Sequence, residues 1–179
     1  MRHWGIKNIV IGLLVVVAAA FAPTTTGTAA ATTVAPTTSI ASDQLAGRFA
    51  VNALLENAVL LITNIKRLAV GCRPLKLNGD LREAARKHSY VMARNDLMSH
   101  QLSGEYSLGR RITLAGYTGW RKVAENIAAG YSTARLVVRA WWASPSHRRN
   151  IADCTLREIG IGVVPYGGRY WWTQDFGRR

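Results

Sequence analysis

The sequence has no apolar run of the roughly 18–20 residues that a bilayer span requires. Its longest, Ile9 to Ala22, has 14, so a multi-span membrane protein is excluded. Cysteine is scarce as well. Two residues, Cys72 and Cys154, are too few for a disulfide-framework miniprotein or a four-ligand zinc finger. Acids number 10 against 23 basic residues, a formal charge of +13. The basic residues are nevertheless dispersed. Pairs such as Arg110-Arg111, Arg148-Arg149 and Arg178-Arg179 occur, but no run of five, which argues against a nucleic-acid partner. There is no HExxH pair, no GxSxG elbow and no internal repeat.

What is present fits one globular domain. The chain has 179 residues, 49% apolar and 18% charged. Arg2 and Lys7 precede the apolar run, and small residues follow it at Ala20-Phe21-Ala22 and Ala29-Ala30-Ala31. This pattern predicts a secretory signal peptide over residues 1–31, with an uncleaved single anchor as the alternative. Cleavage would remove Arg2 and Lys7 but no acid, leaving a charge of +11. Residues 23–42 hold eight Thr, five Ala, two Pro and no charge. Residues 32–42 are therefore expected to form a flexible Thr/Ala-rich spacer, with the folded domain over 43–179.

Within that domain Ser42 or Asp43 is expected to cap a helix whose inward stripe is Leu55, Val59, Ile62, Ile65 and Ala69, ending at Gly71. Asp80 and Glu83 have capping-box spacing. Leu81, Ala84, Ala85, His88 and Met92 form one face of the second helix, which reads His88 as a packed core histidine. A short helix is expected over Arg110–Ala115. Ser132 or Thr133 caps another, with Leu136, Val137, Ala140 and Trp141 inward and Pro145 ending it. The period then changes. Ile159, Ile161 and Val163 alternate with Gly160 and Gly162, Tyr166-Gly167-Gly168 marks a turn, and Tyr170, Trp172, Gln174 and Phe176 alternate again. This is a β-hairpin, with glycines where another layer approaches. Helices followed by late strands argue for an α+β fold. In an exported protein Cys72 and Cys154 read as a disulfide; the alternative is two buried free thiols.

Several stretches, in order, resemble the CAP superfamily of cysteine-rich secretory proteins in its compact bacterial form. They are Gly71-Cys72-Arg73-Pro74-Leu75, Ala84 to Ser89, Ser99-His100, Arg111 to Tyr117, Glu125-Asn126-Ile127-Ala128, Trp141 with Ser144 to Ile151, Gly160 to Val163, and Trp172 to Gly177. The resemblance implies an α-β-α sandwich with a small antiparallel sheet and a cleft lined by His100, Glu125 and His147. By donor type, two imidazoles and a carboxylate suit a divalent metal such as zinc, with His100 and His147 as ligands. The other reading is a polar cleft in which Glu125 orients both rings. Two departures stand out. Trp141-Trp142-Ala143-Ser144 carries no acid where eukaryotic members often have a second Glu, and Gln101 to Glu105 replaces the Pro-Asp-Gly usual after the first His.

The family implies no general enzymatic activity. The expectation is thus a secreted, non-enzymatic binding module, with a hydrolase acting on cell wall or peptide as the alternative. A Ser144/His147 pair at i, i+3 is interrupted by Pro145, and a bridged cysteine is no nucleophile. Reported sterol and fatty-acid binding in the family makes Trp120, Trp141, Trp142, Trp171 and Trp172 groove candidates, although core packing is the default for aromatics. The positive charge points to an anionic cell-wall polymer or lipid as partner, and the protein is expected to be extracellular, wall-associated and monomeric.

Overall fold

In strand β3 (Glu158–Tyr166) and strand β4 (Arg169–Arg178) the predicted alternation becomes the two faces of a sheet. A tight turn joins them, with φ of 59° at Gly167 and 75° at Gly168, conformations that glycine adopts at no steric cost. The computed structural model describes the backbone of residues 37–179 and the side chains of residues 52–179. The proposed leader and the first residues of the spacer lie outside the described residues.

The remaining elements are α1 (Thr37–Ala69), β1 (Lys76–Leu77), α2 (Gly79–Asn95), α3 (Leu108–Leu114), β2 (Lys122–Ala129), α4 (Ala134–Ala143) and α5 (Pro145–Ile151). The strand order is β1-β3-β4-β2. Three strands are antiparallel, as expected, but the two-residue β1 pairs with β3 in parallel, so the sheet is mixed. Two other expectations are corrected. Helix α1 begins at Thr37, inside the segment read as spacer. The second helix is capped by Asn78, whose side chain accepts the Leu81 N–H at 3.0 Å, rather than by Asp80.

One face of the sheet carries Ile159, Ile161, Val163, Trp172 and Phe176, packed against Val59 of α1, Val137, Val138 and Trp141 of α4, and Ile151 of α5. The other face is covered by α2, with Met92 and Ala93 against Ile127 and Trp171. Helices on both sides of the sheet make the α-β-α sandwich.

Gly160 and Gly162 set the distance of α2. A Cβ at Gly160 would collide with the Leu81–Arg82 peptide group, and one at Gly162 with Ala85–Arg86. Two strand residues advance about 6.7 Å and four helical residues about 6.0 Å, so the two contacts stay in register. Gly160→Val is expected to lower the melting temperature by about 10 °C, from roughly 3 kcal/mol of overpacking. A melting curve displaced by less than about 2 °C would show that α2 does not rest on the strand.

The inward stripe of α1 differs from its hydrophobic pattern. Val59 is buried and Leu55 and Ile62 pack on the core as expected, but the fully buried companions of Val59 are Glu56, Thr63 and Arg67, while Ile65 and Ala69 face solvent. Each buried polar group has partners. Glu56 accepts Arg86 Nε and Nη2 at 2.7 and 2.6 Å. Thr63 accepts Gln174 Nε2 at 2.9 Å. Arg67 donates to the carbonyls of Arg73, Ile151, Asp153 and Leu156 at 2.8–3.2 Å. It thereby clamps the loop after α1 to the loop after α5. The Cys72–Cys154 disulfide closes over the same junction, with Cα atoms 4.9 Å apart.

Candidate functional site

Strand β2 lies at the edge of the sheet, and Glu125 in its middle points to the α2 side, opposite Asp175 of β4. The outer edge of β2 is sealed by side chains. Trp141 Nε1 donates to the Ile127 carbonyl at 3.0 Å, and Asn150 Nδ2 donates to that of Glu125 at 3.0 Å. These two bonds dock α4 and α5 against the strand that carries the carboxylate.

The loop between α2 and α3 brings His100 over Glu125, with Nδ1 2.7 Å from Oε1. Arg111, in the first turns of α3, holds the other carboxylate oxygen through Nη2. Its Nη1 donates to the carbonyls of His100 at 2.9 Å and Tyr106 at 3.2 Å. One buried guanidinium thus fixes both the acid and the loop that presents the imidazole. Beneath them His88 is fully buried, with Nδ1 2.7 Å from Glu105 Oε1 and Nε2 3.7 Å from Glu125 Oε2. Its packed position is as expected, yet it also belongs to this charged cluster. Glu105 accepts the Leu102 N–H at 3.1 Å, so the acid at the site's departure from the usual Pro-Asp-Gly run closes its own loop.

The electrostatics follow from that crowding. Asp175 is fully buried, and its carboxyl oxygens have no hydrogen-bond partner. Burial, then the negative charge of Glu125, pushes its carboxyl well above the usual range and so favours its neutral form. Burial alone would raise Glu125 too. The His100 hydrogen bond and the charges around it, from His88 and Arg111, outweigh burial and hold it below the ordinary value. The bond to Glu125 raises His100 above the usual imidazole range. His147, half-buried on α5, goes the other way, lowered by burial and then by the positive charge of His100. The two imidazoles therefore sense one another, although among the described residues the His147 ring hydrogen-bonds neither His100 nor Glu125.

His147 also closes one end of a largely apolar groove of about 230 Å³, lined by Met98, Ile127, Tyr131, Trp141 and Ser144. Of the tryptophans considered for such a groove, only Trp141 reaches it. Trp171 and Trp172 are core residues, Trp142 lies under Lys66, and Trp120 caps α3 by donating to Thr113.

The zinc reading does not fit this arrangement. Among the described residues no three His, Cys, Asp or Glu side chains are grouped to hold a metal ion, and both oxygens of Glu125 are already taken by His100 and Arg111. A serine nucleophile fits no better. Ser99 donates to the Gln101 carbonyl at 2.8 Å, and Ser144 pairs with Ser146 at 3.2 Å rather than with His147.

The profile of the cysteine-rich secretory protein family, CAP, matches residues 60–176. The chain belongs to this family. It is 32% identical over 142 residues to an uncharacterized protein of Bacillus subtilis, YkwD, a match covering 79% of this chain and 54% of that protein. It is 30% identical over 124 residues to an uncharacterized membrane protein of the same organism, YlbC, covering 69% and 34%. The chain thus spans about half and one third of these two relatives. Among solved structures, an extracellular protein containing an SCP domain from Bacillus anthracis aligns with a TM-score of 0.67 and 26% identity, over 72% of this chain and 41% of that one. An outer surface protein of Borrelia burgdorferi shares the fold, with a TM-score of 0.62 and 21% identity over 67% and 89%.

Asp175, Arg111, Glu105 and the contacts of His88 with Glu105 and Glu125 were not signalled by the motifs of the CAP cleft. One signal was available. Asp175 is an acid in the middle of an apolar strand, on the opposite face from Gln174 and Phe176, where it had to be either paired or protonated.

Proposed function

We propose that this CAP domain is exported and acts outside the cell as a binding module, with His100, Glu125, His147 and the adjoining groove as its ligand site. The observation that carries this reading is the state of Glu125. Both its oxygens are committed to His100 and Arg111, so it sets charge and shape rather than standing free as a general base. The extracellular SCP-domain protein of B. anthracis and the N-terminal signal pattern support export. His100 is 59% exposed at its side chain and has Nε2 available as a donor when protonated. Arg148 and Arg149 follow His147 on α5. The chemistry favoured is an anionic head group on an apolar chain, as in a lipid or an amphiphilic wall polymer, with the chain along Trp141 and Tyr131.

The test is a thermal-shift titration with a single-chain alkyl phosphate, run alongside turnover assays on casein and peptidoglycan. Saturable stabilisation by the amphiphile is expected. It should be weakened in His100→Ala and absent with inorganic phosphate, and neither polymer should turn over. Turnover that disappears in a His100→Ala/Glu125→Gln variant would establish the hydrolase instead.

A further inference from the structure

A helix that gives one face to the core normally shows solvent a polar face. Helix α1 does not. Its inward stripe is Glu56, Val59, Thr63 and Arg67. At 100° per residue the opposite stripe is Leu54, Ala58, Leu61, Ile65 and Leu68. Of these, Leu54, Leu61, Ile65 and Leu68 are 70%, 62%, 54% and 60% exposed. The spacing is that of a heptad, with leucine at three successive d positions and, at the a positions, Ile65 and the half-buried Ala58, which also touches the core. A β-branched residue at a with leucine at d favours two parallel strands. The flanking positions are Asn57 and Asn64 on one side and Leu55, Ile62 and Ala69 on the other, none of them charged.

We propose that this face of α1 binds a second copy of the chain, with the two α1 helices packed in parallel about a twofold axis. Four large side chains at about 100 Å² of apolar surface each would remove about 800 Å² across two copies. That approaches the roughly 1,000 Å² of a specific interface. Charge selects the occupant. A helix lying on a membrane carries Lys and Arg along its polar face, whereas asparagine and aliphatic residues border this seam. The nearest cations on α2 are engaged, Arg82 with Asn57 and Arg86 with Glu56. A chain of charge +13, or +11 without the proposed leader, repels its own copies over most of its surface, and an uncharged seam is where two copies approach at least cost. The proposal is independent of the cleft.

Sedimentation equilibrium of the full chain over a concentration series tests it. The expected result is a reversible dimer of twice 19.6 kDa, strengthened by salt because screening relieves the net repulsion. Leu61→Glu/Ile65→Glu should sediment as a folded monomer whose melting temperature, unlike that of the native chain, does not change with protein concentration, since both side chains lie at the surface. Leu61→Cys should form an intermolecular disulfide on mild oxidation, because parallel d positions face each other and the native cysteines are bridged. A monomer at every concentration, or a dimer that survives the double glutamate variant, would overturn the proposal. So would flotation of a monomer with phosphatidylglycerol vesicles that the same variant abolishes, an outcome that assigns the face to a membrane.

Discussion

Replacing Arg111 by methionine is expected to destabilise the domain by about 3–5 kcal/mol, the usual cost of removing one partner from a buried ion pair. The effect should be large because three carboxyl groups, Glu105, Glu125 and Asp175, crowd around a single arginine. Without its charge Glu125 must take up a proton or open toward water. The same change frees the carbonyls of His100 and Tyr106, so the loop that presents His100 loses its anchor. Arg111→Lys should rescue only part of the loss, since one ammonium cannot reproduce a fork that binds a carboxylate and two carbonyls at once. Urea unfolding of both variants checks this. A loss below about 1 kcal/mol in the methionine variant would mean that Arg111 is not the counter-charge of the cluster.

Replacing Cys72 and Cys154 together by alanine is expected to cost about 4–5 kcal/mol in the loop-entropy account, given the 82-residue separation they bridge. The bridge lies over the Arg67 clamp, so the native junction should survive in the variant. The loss should then appear mainly as a more open unfolded state, with a steeper denaturant dependence as well as a lower midpoint. An unchanged midpoint would place the bridge's contribution in the folded state and near zero.

Much of the fold was legible in the sequence because it rests on periodicity. The hairpin, the Thr133 cap of α4 and the inward face of α2 each follow from the spacing of apolar residues or from one capping side chain. The α1 stripe was legible in part. Leu55, Val59 and Ile62 do pack on the core, but hydrophobicity marks both faces of the helix, so Ile65 and Ala69 were misplaced and the buried Glu56, Thr63 and Arg67, whose partners lie as far away as Gln174, were missed. Strand β2 and the two-residue β1 gave no clear alternation. Their register is set by pairing with strands distant in the chain.

The site was legible in part and for a different reason. Family resemblance placed His100 and Glu125, which the structure joins directly, and His147, which it places within electrostatic reach of His100. Spacing alone could not have done so, since the pairs that matter are 25, 14 and 17 positions apart. The buried, unpartnered Asp175 and the His88–Glu105 pair came from none of these signals. They depend on how closely α2 approaches the sheet, and hence on the absence of side chains at Gly160 and Gly162.

The proposed site requires that His100, Glu125 and His147 act as one electrostatic unit at the edge of β2. It is tested most directly by following the imidazole resonances of His100 and His147 with pH in the protein and in Glu125→Gln. His100 should titrate above the ordinary imidazole value of 6.5 and His147 below it. The His100 contribution to stability would then be complete below about pH 6.5 and be lost as pH rises through its folded-state midpoint. In Glu125→Gln the His100 midpoint should fall and that of His147 should rise, because a less charged His100 repels its neighbour less. Coincident midpoints that ignore the Glu125 substitution would contradict the account.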